Sequence, residues 1–275
     1  MSDAYALSSF AGKVAVVTGG AQGIGEATAR LLAARGAEGI VLVDRRVEKG
    51  EAVAASLNAA GTKTIFVAAD LADPAAVARV MPAADKAFGR VDLLANVAGL
   101  TDRGSIFDTD QALFDVMFAV NVRAPFFLIQ DALKLMQRDR IEGAIVNILS
   151  VNAHVGSANL AAYSASKAAL TNLTKNVANA VTGFRIRSNG ILLGWVDTPG
   201  EHETLKKFHG AGDDWLESAE KSRPFGKLIK PEDVARIVAF LLSAESAPMT
   251  GSVIDYEQTV FGGYSGPATG YPSND

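Results

Sequence analysis

The order of apolar runs along the chain predicts an α/β fold, a doubly wound parallel sheet of about seven strands with helices on both faces. Three observations carry that prediction. The short β-branched runs are apolar throughout instead of alternating with polar residues, as strands covered on both faces must be. They alternate with longer segments of helical period, the pattern of successive βαβ units. The first run, Lys13 to Thr18 (KVAVVT), is followed at once by a glycine-rich turn that opens a helix.

Each element follows in order. Gly25 to Arg35 consists of good helix formers, and Gly36 closes it as a C-cap. Gly39 to Val43 reads as the second strand, ending at Asp44, and Val47 to Ala60 as an alanine-rich amphipathic helix closed by Gly61. Thr64 to Ala68 is the third strand, with Asp70 just after it. Pro74 sits near the start of the next helix, where a missing N–H costs nothing because the first turn offers it no acceptor. Val91 to Ala95 and Ala144 to Leu149 read as the fourth and fifth strands. Between them, Asp110 to Arg138 reads as two consecutive helices or one long bent one, with Pro125 inside the pattern. Ala161 to Val181 is a helix, Ile186 to Leu192 the sixth strand, Pro231 to Leu242 a helix, and Ser252 to Ile254 a short seventh strand.

No linker divides the chain, so residues 1–275 read as one domain. Gly200 to Arg223 interrupts the alternation and predicts a lid over a site, at about 198–225, with a solvated surface excursion as the alternative. The end of the chain, about 256–275, turns rich in Gly, Pro and Ser from Gly262 and reads as a tail, either disordered or draped on a neighbouring subunit.

Composition removes several classes. Hydrophobic residues make up 49% of the chain, ample for a core, and charged ones 20%, slightly under the usual quarter. That shortfall is compatible with buried subunit surface. A net charge of -4 with no basic stripe argues against nucleic acid and other polyanions. The absence of cysteine excludes disulfides, thiolate metal sites and a cysteine nucleophile. His202 and His209 lie seven apart in a glycine-containing segment with no third ligand evident, so no metal site is expected. Met1 to Phe10 is polar and acidic, without the features of a secretory signal, and no run of eighteen uninterrupted apolar residues occurs. A cytoplasmic location is the default expectation, with neither membrane nor nucleic acid as partner.

The chemistry is read from seven places. T-G-G-A-Q-G-I-G, from Thr18 to Gly25, joins the first strand to the first helix. Glycines there allow a tight turn and let backbone N–H groups approach a pyrophosphate seated on the positive end of the helix. Gly19, Gln22, Gly23, Ile24 and Gly25 are the expected cradle of a dinucleotide. Nineteen positions beyond Gly25, Asp44 ends the second strand, where a carboxylate can accept both ribose hydroxyls and repel a 2′-phosphate. That favours NAD; Arg45 and Arg46 alongside are within reach of a phosphate and leave NADP open, and a plain turn is the other reading of Asp44. Asp70, with Leu71 beside it, could meet the adenine, although helix capping is the alternative, a role that suits Asp73 better. Asn96, Ala98 and Gly99 end the fourth strand with small residues that leave room for a flat ring and its ribose.

Tyr163 and Lys167, in Y-S-A-S-K, stand four apart on a predicted helix and so share a face. A free phenol, with a pKa near 10, is a poor base at neutral pH. A nearby ammonium and a positive nicotinamide would stabilise the phenolate and let it take a hydroxyl proton as hydride leaves the carbon. Ser150, at the C-terminal end of the fifth strand where open α/β sheets bind ligands, can hydrogen-bond the substrate oxygen; turn capping is its bland alternative. Asn121 lies in an apolar helical stretch, where a buried amide must be bonded, and could hold a water or a backbone carbonyl behind Lys167.

Taken together and in this order, T-G-x-x-x-G-I-G, N-x-A-G, the helical Asn, the strand-end Ser and Y-S-A-S-K resemble the short-chain dehydrogenase/reductase family, from Lys13 to about Ile254. The resemblance implies a Rossmann-type fold and an Asn121–Ser150–Tyr163–Lys167 tetrad. In it tyrosine is the acid/base, lysine binds the nicotinamide ribose and tunes the tyrosine, serine orients the substrate, and asparagine anchors a water relay. It also implies cofactor contacts at Val196 and Thr198, although Leu193 stands where the family has proline and Val97 where N-N-A-G has its second asparagine. A homotetramer, or a dimer, built on Val116 to Met136 and Ala161 to Val181 is the oligomer that the resemblance implies.

Substrate is the least legible feature. Asn152, His154, Trp195 and His202, with Glu203, stand near the expected mouth and lid and would suit a sugar or polyol; His202 and Glu203 facing water is the alternative. A reductase of hydrophobic ketones or acyl thioesters competes with that reading, and a non-catalytic dinucleotide-binding protein is a third, against which the intact tetrad argues.

Overall fold

The computed structural model describes residues 8–261 apart from 211 and 213, so the N-terminal residues 1–7 and most of the tail read above lie outside the described residues. Seven parallel strands form one sheet in the order β3-β2-β1-β4-β5-β6-β7. They are β1 (Val14–Thr18), β2 (Gly39–Asp44), β3 (Lys63–Ala68), β4 (Leu93–Asn96), β5 (Ala144–Ser150), β6 (Arg187–Leu193) and β7 (Val253–Tyr256). The chain winds outward from β1 in one direction to β3 and then crosses to β4 for the other, which opens a crevice between β1 and β4 at their C-terminal ends.

The apolar runs explain why both faces are covered. Ala15, Val17, Ile40, Leu42, Leu93, Ala95 and Val146 project to one core, while Val16, Val41, Val43, Leu94 and Ile145 project to the other. The first core is closed by α1 (Gly23–Ala34), α2 (Val47–Ala59) and, from the far end of the chain, α10 (Pro231–Leu242), through Leu32, Leu57 and Val238. The second is closed by α3 (Pro74–Val77), α4 (Val80–Phe88), α6 (Ala124–Arg138) and α7 (Ala161–Val181), through Met81, Leu128, Met136 and Val177.

Several boundaries move from their sequence-based positions for identifiable reasons. The fourth strand begins at Leu93, not Val91, because the Asp92 carboxylate turns to accept from the Val14 N–H at 3.0 Å and from Arg90 at 2.6 and 2.8 Å. The helix after β3 is broken in two, and Asp73 caps the first piece by accepting from Ala75 N–H at 2.9 Å. The long segment after β4 is a single run: α5 (Gln111–Phe118), a π-helical turn (Ala119–Arg123) and α6. Pro125 falls in the first turn of α6, so its missing N–H sits against the widened turn. This run is long and apolar enough in composition to cross a membrane, but its Leu128–Ile129–Ala132–Met136 stripe is spent on the sheet.

The predicted lid is two helices, α8 (Pro199–His209) and α9 (Trp215–Lys221), between β6 and α10. Thr198 starts α8 as its N-cap, accepting from Glu201 N–H at 3.1 Å.

Candidate active site

The glycine-rich turn is too tight for side chains. Gly19 lies at φ 68, in the left-handed region that favours glycine. A Cβ on Gly25 would stand 2.1 Å from the Gly19 carbonyl oxygen. Gln22, the N-cap of α1, makes no side-chain cap, so the first-turn N–H groups of a twelve-residue helix point at the crevice without a capping acceptor. Gln22 instead accepts from Lys49 at 3.0 Å, and Ile24 is half-buried in the first turn. Thr18, at the end of β1, accepts from the N–H groups of Val97 and Ala98 at 2.9 and 3.1 Å and so draws the loop after β4 onto the turn.

Asp44 is buried at the end of β2, where Oδ2 accepts from Ala21 N–H at 3.2 Å and Oδ1 from Arg46 N–H at 2.9 Å. An ionised carboxylate has about four acceptor positions, so lone pairs remain for ribose hydroxyls. Arg45 is exposed, and Arg46 is paired with Glu203 of α8 at 3.0 Å. Gly99 bounds the inner end of the crevice: a Cβ there would come within 3.3 Å of Lys167 Nζ and 3.5 Å of Asn121 Oδ1. The bare cradle, the uncapped helix and the strand-end carboxylate fit a dinucleotide.

The four residues of the expected tetrad converge on this inner end. Asn121 lies on the π turn, fully buried, and clamps Leu100 from both sides: Oδ1 accepts from its N–H at 2.8 Å and Nδ2 donates to its carbonyl at 3.0 Å. The same Nδ2 reaches Ser166 Oγ at 3.0 Å, and Ser166 donates to the Tyr163 carbonyl at 2.7 Å. Of the two ligands open to Asn121 in the sequence, a water or a backbone carbonyl, the described contacts include the carbonyl. Ser150 is buried at the end of β5, where its Oγ accepts from Asn152 N–H at 3.2 Å and caps the following turn. Tyr163 is half-buried one turn before the buried Lys167 on α7.

The electrostatics differ from the simple expectation. Burial pushes the Tyr163 phenol up, a hydrogen bond with Ser150 pulls it back, and the charges of Glu201 and Arg103 act on it in opposite directions. Lys167 is not what sets the phenol here. Its Nζ donates to the Ile148 carbonyl at 2.8 Å and stands 5.9 Å from the centroid of the Tyr163 ring. Burial draws Lys167 itself down to about 8.

The other residues expected at the site have partners of their own or line the crevice. Asp70 is exposed and caps its own turn by accepting from Ala72 N–H at 2.9 Å, while Leu71 is buried in the sheet's second core. Asn96 is buried and donates to Asn147 Oδ1 at 2.9 Å, tying β4 to β5, with its own Oδ1 left without a partner among the described residues. His154 is exposed and paired with Asp255 at 2.9 Å, and Asn152 Oδ1 accepts from Ser157 at 2.6 Å. His202 bonds Asp197 at 2.7 Å and meets the Trp215 ring edge-on. Val196 is buried and bridges to Ile229; Thr198 keeps to the crevice, 3.6 Å from where a Gly23 Cβ would stand. Sequence reasoning missed Arg103 and Glu201, which meet at 3.3 Å, with Trp195 Nε1 donating to the same Glu201 oxygen at 3.1 Å. No periodicity or motif marks either residue.

This is the architecture and site of a nucleotide-dependent oxidoreductase, and similarity to known proteins agrees. A family model described as enoyl-(acyl carrier protein) reductase matches residues 19–264. The chain is 35% identical to cis-4-hydroxycyclohexanecarboxylate dehydrogenase of Sinomonas cyclohexanicum, over 93% of this chain and 98% of that one. It is 36% identical to 2,3-dihydro-2,3-dihydroxybenzoate dehydrogenase of Bacillus subtilis, over 87% of this chain and 92% of that one. Its fold matches L-sorbose reductase from Gluconobacter frateurii, solved with NADPH and L-sorbose, with a TM-score of 0.87 and 30% identity over 94% of this chain and 100% of that one. The chain belongs to the short-chain dehydrogenase/reductase family.

Proposed function

We propose that this chain is an NAD-dependent dehydrogenase that interconverts a secondary alcohol of a sugar or polyol with the carbonyl, with Tyr163 as the acid/base. The observation that carries the reading is the convergence of Tyr163, Lys167, Ser150 and Asn121 at the inner end of a side-chain-free crevice. Gly19, Gln22, Gly23, Ile24 and Gly25 would hold the pyrophosphate, Asp44 the adenosine ribose, and Gly99, Val196 and Thr198 would line the nicotinamide end. When bound, NAD supplies the hydride acceptor and, in its oxidised form, a positive charge beside the phenol. Ser150 donates to the substrate oxygen and orients it. Tyr163 takes the hydroxyl proton, a step to which a positioned acid/base contributes about 10²- to 10⁴-fold. Lys167, anchored on the Ile148 carbonyl and drawn down to about 8, can release and regain a proton near neutrality beside the tyrosine ring. Asn121 holds Leu100, and through Ser166 the start of the tyrosine's turn, in place.

One domain would serve both cofactor and substrate. Phe114, Phe126 and Phe127, exposed on α5 and α6, support a homo-oligomer built on those helices and α7. The sugar or polyol reading draws on the L-sorbose bound by the structural relative and on the hydroxylated substrates named for the other two. The test is Tyr163→Phe against a panel of sugars, polyols, steroids and aliphatic alcohols with NAD and NADP. The variant should lose at least about 100-fold in kcat while binding NAD normally; wild-type turnover in it would refute the assignment.

A further inference from the structure

Arg46 is held from two sides, and the function proposed above gives neither contact a task. Its backbone N–H donates to Asp44 Oδ1 at 2.9 Å, on the carboxylate assigned to the adenosine ribose, while its guanidinium donates to Glu203 Oε2 at 3.0 Å. Glu203 belongs to α8, which follows β6 on the other side of the sheet. One arginine thus joins the corner after β2 to a helix that comes from beyond the crevice.

The rest of α8 is held elsewhere. Glu201 pairs with Arg103 at 3.3 Å and Lys207 with Asp102 at 3.2 Å, both partners lying in the stretch after β4. At the start of α8, Thr198 and Gly200 rest on the glycine-rich turn: a Cβ on Gly23 would stand 3.6 Å from Thr198 Cβ, and one on Gly200 3.6 Å from Gln22 Nε2. The helix therefore straddles the crevice between β1 and β4, and the Arg46–Glu203 pair ties it to the adenosine bank.

Charge decides what happens to that tie. A 2′-phosphate on a ribose held by Asp44 arrives beside Arg46 with negative charge and with oxygens that match the guanidinium fork. Glu203 is a weak rival, because the pair is 31% exposed on the arginine and 60% on the glutamate. Water screens such a pair, and losing it changes an equilibrium by no more than about fivefold. The phosphate takes the arginine, and Glu203 is left facing like charge. A bare 2′-hydroxyl exerts no such pull and leaves the pair closed. We propose that Arg46 and Glu203 form a latch that reads the 2′-position of the cofactor and passes the result to α8, closed beside a hydroxyl and open beside a phosphate. Glu203 is then a positioning residue, and discrimination between NAD and NADP reaches the wall of the crevice as well as the affinity. The latch rests on the dinucleotide reading given above.

The experiment is hydrogen exchange of the α8 amides, which reports local opening, in the full chain saturated with NAD, NADP, 5′-AMP or adenosine 2′,5′-bisphosphate. Exchange should be about three- to fivefold faster with NADP and the bisphosphate than with NAD and AMP, the effect of losing an exposed ion pair. Glu203→Gln should exchange at the faster rate with every nucleotide. The charge exchange Arg46→Glu with Glu203→Arg should recover the slower rate with NAD. A merely structural pair would give equal exchange with NAD and NADP in the wild type; that result, or a difference that survives Glu203→Gln, would overturn the latch. So would a wild-type protein that binds NAD but no nucleotide carrying a 2′-phosphate. Failure of the underlying reading has a different signature, calorimetric titrations in which neither NAD nor NADP binds.

Discussion

Lys167 directs its ammonium to the Ile148 carbonyl, 2.8 Å away, and only flanks the ring of Tyr163. The lysine is thereby anchored to the sheet and carries its charge in a buried place, which is why it falls to about 8 from an ordinary 10.5.

That anchoring has a cost that can be measured. Between about pH 8 and 10.5 the unfolded chain binds a proton that the folded chain has lost, so folding stability rises with pH across that window, and below it the full penalty is present. At about 1.4 kcal/mol per pKa unit the penalty is of the order of 3 kcal/mol. Lys167→Met removes it but leaves the Ile148 carbonyl without its donor, worth about 1–3 kcal/mol in the other direction. Urea unfolding should show the variant gaining least, or losing most, at pH 10 relative to pH 7, by about 2–3 kcal/mol. A pH-independent difference between the two proteins would mean that the lysine is not depressed.

Cofactor choice should respond at two positions. Asp44→Asn removes the charge that repels a 2′-phosphate, and the NAD-to-NADP affinity ratio should drop by about tenfold or more, as expected of a lost charged contact. Glu203→Gln releases Arg46, held at 3.0 Å on the surface. Exposed pairs are worth only about 0–1 kcal/mol, so NADP binding should tighten by no more than about fivefold, with NAD unaffected. Calorimetric titration of both cofactors decides this; a NADP preference in the wild type would contradict the role given to Asp44.

Gly25→Ala should be far worse than an exposed helix substitution. The added carbon would meet the Gly19 carbonyl at 2.1 Å, and backbone cannot yield as a flexible side chain can. Overpacking of this kind costs about 1–3 kcal/mol, and the turn must open to relieve it. A lower thermal midpoint together with at least tenfold weaker NAD binding is expected; unchanged binding would show that the turn does not cradle the cofactor.

Asp92→Ala tests the bottom of the sheet. Its carboxylate is 1% exposed and serves Val14 N–H, Lys13 and Arg90 together. Truncating a buried ion pair costs about 3–5 kcal/mol, but Lys13 and Arg90 are 41% and 39% exposed and can turn to water. A loss of about 2–3 kcal/mol in chemical denaturation, with kinetics unchanged, is the expected outcome.

What was legible in the sequence was local. The glycine turn, the strand-end Asp44 and the Tyr163–Lys167 spacing each lie within one turn or one element junction, so chain geometry alone places them. Asn121 was legible as a buried amide needing a partner, and that partner proved to be Leu100, 21 residues away. Contacts that close only through the tertiary fold were not. Thr18 reaches Val97 across 79 residues and Arg103 reaches Glu201 across 98, and neither pair has any periodic trace. The partners of His154 and His202 were equally illegible: their rings turn to Asp255 and Asp197. The break in the alternation at Gly200 to Arg223 was legible, whereas the two helices that fill it depend on the Thr198 cap and on packing against Trp195.

The widened turn at Ala119–Arg123 leaves the helix before it and the helix after it out of phase. A regular helix advances about 100° per residue, so one surplus residue rotates Phe114 and its neighbours by about that angle relative to Leu128 and Met136. Excising a single residue from this stretch would restore an ordinary coil of backbone and force a choice between the amide's grip on Leu100 and the apolar stripe's seat on the sheet. Shortening the chain there by one position should therefore be more damaging than replacing any one of those five side chains.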